Sequence, residues 1–200
     1  MEPKERREQI LEHAAFLFGK NGYHATSITN IIESAGIARG TFYLYFKNKR
    51  AVFEELLDAL VIQINSKIKT VEMDPGAPSP REQLVDNIVG VLELLTKNRA
   101  LLSILLERAV GLDQRSAKKL ADFYEKISHT IDGSIQLGQQ MGLVRSCNTK
   151  MASLAAIGVL KEVLHDMLRT PEDNQRLREV AGEVLDIFSR GVLIDGVSLP

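Results

Sequence analysis

Apolar residues three and four positions apart recur along almost the whole of this 200-residue chain, and strand-like alternation is hard to find. That spacing places apolar side chains on one face of a helix. Ile10, Ala14, Leu17 and Phe18 mark a first helix from about Pro3 to Lys20, which Gly22 stops. Ile28, Ile31 and Ile32 mark a short second one, with Thr26 or Ser27 as its cap and Gly36 as its break. A third short helix spans about Arg39 to Tyr45. Asn48 then caps a long fourth, striped by Val52, Phe53, Leu56, Leu57, Leu60 and Ile64. The clearest loop is Asp74 to Pro80. It ends in a capping box, with Ser79 as cap, Pro80 as first helical residue and Glu82 reaching back. Further helices are expected to about Lys97, near Ala100 to Val110, from Asp113 to Met141, from Asn148 or Thr149 to about Arg169, and from Thr170-Pro171 to about Arg190. The expected class is all-α with nine helices.

Composition narrows the function classes. The chain carries 25 basic and 26 acidic residues, so it is not a polycation that coats nucleic acid by charge alone. The charge is uneven, however. Residues 1–50 hold eight Lys/Arg and five Asp/Glu, a net of +3, and the remaining residues hold 17 and 21, a net of −4. A single cysteine, Cys147, excludes an internal disulfide and a cysteine zinc site, and it suits a reducing compartment. His129 and His165 match no local metal motif, so neither a metal nor a cofactor is expected. No apolar run approaches the roughly 18 residues of a spanning helix, and Met1 to Arg7 is polar and charged. The expectation is a soluble cytoplasmic chain with no membrane partner. An enzyme or carrier reading has no residue to name: there is no phosphate-binding glycine loop, no His–carboxylate pair on one helix, and no Ser or Cys nucleophile motif.

Residues 27–45 are the most informative. Two short helices are joined by Ala35-Gly36-Ile37-Ala38, the tight glycine-containing turn of a DNA-binding helix-turn-helix. Ile31, Ala35, Ile37 and Phe42 can form the small core that sets the angle between them. The second helix is too short to stand alone and must be held by its neighbours. Its outward side carries Arg39, Thr41, Tyr43 and Tyr45, all hydrogen-bond formers, and Gly40 lets the backbone come close to a groove. Lys47-Asn48-Lys49-Arg50 follows. Lys49 and the start of the fourth helix would meet phosphate if the third lay in a major groove. A plain helical hairpin with polar residues facing water remains the alternative at this point.

Gly22-Tyr23-His-Ala-Thr-Ser-Ile28 and the run from Ile31 to Arg50, including Ala35-Gly-Ile-Ala-Arg-Gly-Thr-Phe-Tyr-Leu-Tyr-Phe-Lys-Asn-Lys49, resemble the N-terminal domain of TetR-family transcriptional regulators. The resemblance covers about residues 5–57 closely, and beyond them only the helix layout and the length. It implies a helix-turn-helix DNA-binding domain over residues 1–47 and an effector-binding and dimerisation domain over 48–200. It also implies a homodimer that binds a palindromic double-stranded DNA operator, most simply as a repressor, and is released by a small molecule. Carried across by position, Thr26 and Ser27 match residues that contact phosphate at a helix start. Ala38, Arg39, Gly40 and Thr41 match the start of the recognition helix. Tyr43 matches a phosphate-contacting tyrosine, Tyr45 a DNA-reading position, and Lys49 a phosphate-contacting lysine. Phe18, Phe42 and Phe46 match core positions. Two departures stand out. Ala38 replaces a usual Ser or Thr, so the third helix lacks a side-chain cap, and Ile32 replaces a small residue.

In the C-terminal part, ten of the fourteen residues from Met151 to Leu164 are apolar, so that helix needs a partner on more than one face. The last helix is striped by Leu177, Val180, Ala181, Val184, Leu185, Phe188 and Val192. A four-helix interface with a two-fold mate is the economical solution, and Ala155, Gly158, Leu177, Val184 and Phe188 are its expected residues. The middle helices carry apolar residues with a few polar ones interspersed. Leu105, Arg108, Phe123, Tyr124 and Ile127 are the expected lining of a pocket for a lipophilic effector not identified by the sequence. A DNA-binding factor with no effector is the rival reading.

Overall fold

The computed structural model describes residues 2–106, 113–169 and 174–190. Among the described residues there are nine α-helices: α1 Pro3–Asn21, α2 Ile28–Ala35, α3 Arg39–Tyr45, α4 Lys49–Lys67, α5 Pro80–Lys97, α6 Arg99–Leu106, α7 Gln114–Gln140, α8 Thr149–Arg169 and α9 Asn174–Arg190. The expected continuation of the sixth helix to Val110 and the opening of the last at Thr170-Pro171 fall outside the described residues.

Capping chemistry sets most of the boundaries. Ser27 rather than Thr26 caps α2: its hydroxyl accepts the Asn30 N–H, and the Asn30 side chain accepts the Ser27 N–H in return. Asn48 accepts from the Ala51 N–H at 2.9 Å. Ser79 and Glu82 form the expected reciprocal box ahead of α5. The Asp113 carboxylate accepts the Arg115 and Ser116 N–H groups, both at 3.0 Å. Asn148 accepts from the Met151 N–H at the head of α8. Each such cap removes an orphan donor that the first helical turn otherwise leaves to water.

One apolar core runs through the chain. Its N-terminal part is Ile10, Ala14 and Phe18 of α1, Ile31 of α2, Phe42 of α3, and Phe46, and it continues through Val52, Phe53, Leu56, Leu57 and Leu60 of α4 into α5, α6 and α7. α1 packs on α6, α4 on α5 and α7, α5 on α9, and α7 on α8. The last of the expected stripes needs correction. Leu177 and Val184 are 2% and 5% exposed. They face inward, where α9 packs on α5, so they hold the protomer together and are not available to a mate. Ion pairs flank the same seam, Arg81 to Asp186 at 3.0 Å and Arg178 to Asp86 at 2.6 Å. A stripe at helical spacing says that one face is buried, but not by which chain. Ala155, Gly158 and Phe188 are exposed, as are Met151, Leu154 and Ile187 on the same two helices. Among the described residues no helix is long and apolar enough to cross a membrane.

Candidate nucleic-acid interface

The corner between α2 and α3 is built on Gly36, whose backbone is left-handed (φ 61°, ψ 37°), a conformation side chains disfavour. Its N–H returns to the Glu33 carbonyl, and the Ile37 N–H reaches Ile32 at 3.1 Å, closing the end of α2. From α1, Gln9 donates its amide to the Ala35 carbonyl at 2.9 Å. Phe42 is fully buried and pins α3 from beneath, with its ring 6.0 Å from that of Phe46.

Arg7 of α1 locks the far end of α3. Its guanidinium grips both carboxylate oxygens of Glu55, at 2.6 and 2.5 Å, donates to the Tyr45 carbonyl at 3.3 Å, and lies 4.7 Å over the Phe46 ring. The hydrogen bond to Glu55 raises the Arg7 pKa above its ordinary value. Gln9, Arg7 and Glu55 were not among the expected site residues. Their partners lie 26 to 48 positions away, and no local pattern announces a contact of that range.

Two sequence expectations are overturned here. Thr26 is fully buried, and its hydroxyl donates to the Leu17 and Gly22 carbonyls at 3.1 and 2.9 Å. It ties the end of α1 to the turn and offers nothing to a phosphate. Lys49 is also engaged. Its ammonium donates to the carbonyls of Tyr23 at 2.5 Å, Thr26 at 2.7 Å and His24 at 3.3 Å, and lies 4.4 Å over the Tyr23 ring. An ammonium has three N–H donors, and all three are taken. Burial lowers the Lys49 pKa below the ordinary lysine value. Lys49 therefore clasps the segment between α1 and α2 to the start of α4, and is not the open phosphate contact expected of it. Tyr23 extends the clasp: its ring packs on Phe18 and Phe53 at 5.2 and 5.0 Å, and its hydroxyl lies 3.4 Å from that of the buried Ser116 at the head of α7.

The outward face of α3 is chemically distinct. Ala38, Arg39 and Gly40 are exposed, Tyr43 is 45% exposed, and Thr41 and Tyr45 are half-buried. Tyr45 packs partly on the core, so its ring serves the fold as well as the surface. Arg39 and Lys47 make no ion pair or hydrogen bond among the described residues. No acidic residue occurs between Ser34 and Arg50. Ser27 is exposed at the head of α2, with its hydroxyl donating to Asn30. Leu44 is 84% exposed, and its residue type gave no reason to expect it on this surface.

The expected effector lining is mostly core. Leu105 and Phe123 are buried and Ile127 packs against the same cluster. The Tyr124 hydroxyl donates to the Leu105 carbonyl at 2.6 Å, burial pushes its pKa up to about 12, and the Lys161 ammonium lies 4.7 Å over its ring. Arg108 lies outside the described residues. A cleft of about 380 Å³ opens instead between α8 and α9, lined by Val159, Val163, Met167 and Val180 and rimmed by Glu162, Asp166 and Arg176. Among the described residues no cluster of His, Cys, Asp or Glu could hold a metal ion.

Comparison with known proteins agrees with this architecture. Residues 10–56 match the model of bacterial regulatory proteins of the tetR family, and residues 77–165 match a tetracyclin repressor-like C-terminal domain. YdgC, an HTH-type transcriptional regulator of Bacillus subtilis, is 31% identical over 96% of this chain and 95% of its own length. YerO, another from Bacillus subtilis, is 24% identical over 97% of this chain, which spans 66% of YerO. Among solved structures, a TetR-family transcriptional regulator of Syntrophomonas wolfei superposes with a TM-score of 0.81 at 24% identity, covering 98% of this chain and all of its own. FadR of Bacillus subtilis, solved in complex with stearoyl-CoA, gives a TM-score of 0.74 at 23% identity over 93% of this chain and 99% of its own. With matches spanning both parts of the fold, and a run from Ser34 to Arg50 that carries bases and no acid, the chain belongs to the TetR family of helix-turn-helix, DNA-binding transcriptional regulators.

Proposed function

We propose that this regulator is a repressor that binds a palindromic operator as a homodimer and is released by a lipophilic or amphipathic small molecule. Residues 1–47 form the DNA-binding domain in this reading, and residues 48–200 bind the effector and the mate. The observation that carries it is the outward face of α3, where Arg39, Gly40, Thr41 and Tyr43 are followed by Lys47 in a run from Ser34 to Arg50 that holds no acid. Phosphate contacts supply affinity and register, while base-edge contacts supply sequence choice. Ser27 and Tyr43 suit phosphate, and the Arg39 guanidinium suits a guanine O6 and N7. The mate is supported by the exposed apolar residues of α8 and α9, Met151, Leu154, Ile187 and Phe188, with Ala155 and Gly158 permitting close approach. The effector class is supported by the FadR complex with stearoyl-CoA.

The test is selection of bound sequences from random duplex DNA with the full chain, followed by titration of the selected complex with long-chain acyl-CoA. Expected are an inverted repeat, binding that weakens steeply with salt, and release by the acyl-CoA. Absence of any enriched sequence overturns the DNA-reading assignment of α3. Enrichment with no release overturns the acyl-CoA arm alone.

A further inference from the structure

Leu44 is the most exposed large apolar side chain among the described residues, at 84%, and it lies on a seven-residue helix. On a helix of 3.6 residues per turn, the positions opposite the fully buried Phe42 are Gly40 and Leu44, one turn apart on a single ridge. This ridge is the foremost edge of α3. Gly40 contributes no side chain, and a Cβ placed there meets nothing within 4 Å. Whatever surface α3 meets can therefore come close to its backbone at Gly40 and receives one apolar group, Leu44. The flanking exposed cations, Arg39 and Lys47, and the lack of any acid from Ser34 to Arg50 select a polyanion for that surface. In the major groove of duplex DNA the bases present donors, acceptors and one apolar group, the 5-methyl of thymine.

We infer that Leu44 selects thymine at one position of the bound sequence by packing on its 5-methyl group, with Gly40 providing the clearance. This rests on α3 being the element that enters the groove. It adds a residue that reads by apolar contact beside Arg39, which reads by hydrogen bonds. The two make different demands on DNA: deleting a methyl group affects Leu44 and leaves every hydrogen bond in place.

The experiment uses the full chain and its own selected duplex. Each thymine is replaced singly by deoxyuridine, which lacks only the methyl, and affinity is measured for the wild type, Leu44→Ala and Leu44→Met. Expected is one position at which the wild type loses about five- to tenfold, at which Leu44→Ala loses less than twofold, and at which Leu44→Met keeps most of the wild-type loss. Because Leu44 is solvent-exposed, unchanged circular dichroism and thermal melting are expected for both variants. If no deoxyuridine replacement lowers wild-type affinity more than twofold, or if Leu44→Ala shows the same loss as the wild type, the inference is overturned while α3 keeps its place in the groove. If random duplex DNA yields no enriched sequence, the placement of α3 fails and this inference fails with it.

Discussion

The polar side chains of the helix-turn-helix head and those of the body lean on different partners. Around α2 and α3, Gln9, Thr26, Arg7 and Lys49 donate to backbone carbonyls, and Arg7 also forks onto Glu55. In the body the links between helices include side-chain ion pairs at the surface, Lys119 and Lys126 to Asp58, Arg81 to Asp186, and Arg178 to Asp86, beside hydrogen bonds such as that from the Tyr124 hydroxyl to the Leu105 carbonyl. A carbonyl is fixed in the chain, so bonds to it fix geometry. Exposed ion pairs between flexible side chains contribute only about 0–1 kcal/mol and tolerate sliding. Long helices can rely on apolar stripes, whereas two helices of eight and seven residues cannot stand alone. Bonds to fixed carbonyls suit a helix-turn-helix head that a change in the body is to reorient without deforming.

The sharpest way to break this contrast is to remove the apolar pin of the head. Phe42→Ala deletes a fully buried ring and is expected to cost about 3–5 kcal/mol. Sequence-specific DNA binding should vanish while circular dichroism still shows a largely helical body. Retention of specific binding would show that the polar clasps suffice to hold α3. In the body, Leu177→Ala should cost about 2–5 kcal/mol by urea unfolding, because that side chain is enclosed by its own protomer. Phe188→Ala, on an exposed side chain, should move protomer stability by about 0.5 kcal/mol and act instead on self-association, read by sedimentation. The reverse pattern would restore Leu177 to an intersubunit role.

Lys49 and Lys47 separate a structural clasp from the proposed DNA contact at two positions of one basic run. Lys49→Met leaves three carbonyls without their common donor, and a loss of about 1–3 kcal/mol is expected in thermal or urea melts. Lys47→Ala should leave stability within about 0.5 kcal/mol and lower the slope of log affinity against log salt by about 0.9 for each phosphate that Lys47 neutralises. A matching fall in salt slope for Lys49→Met would return Lys49 to the phosphate-contacting role.

What could be read from residues alone follows from the range of each interaction. Caps act over three residues, so Asn48, Ser79 and Asp113 announced their helices correctly, the pair Thr26–Ser27 held the cap of α2, and the Gly36 corner was legible for the same reason. Lys49, Thr26 and Leu177 were misread because residue type does not say where a side chain's atoms are already engaged. Lysine beside a basic run suggests phosphate until its ammonium is seen among carbonyls 23 to 26 positions away. The exposure of Leu44 was illegible for the complementary reason, since apolar character argues for burial and only the packing of Phe42 beneath α3 turns Leu44 outward. Tyr124 and Phe123 bore the same marks as pocket residues and as core, and the closed packing around them was not encoded locally.

The smallest expected effect tests the surface bracket between α4 and α7. Burial pushes the Asp58 carboxyl up, but hydrogen bonds from Lys119 and Lys126, and their charges, outweigh it and hold its pKa below the ordinary aspartate value. The unfolded chain therefore binds this proton more readily than the folded one. The contribution is complete above the ordinary aspartate range near about pH 3.9 and is lost as pH falls through the lower folded value. Asp113, held low by the N–H groups of Ser116 and Arg115, has the same sign, so acid destabilisation of the wild type is shared. Asp58→Asn should therefore remove only part of the acid slope. Near neutral pH it should cost about 0.5 kcal/mol, as expected for exposed pairs, and the difference from wild type should shrink toward zero as pH falls through the lowered folded value. A difference that stays constant across that window would mean that Asp58 acts by packing, and that the α4–α7 seam is held as geometrically as the head.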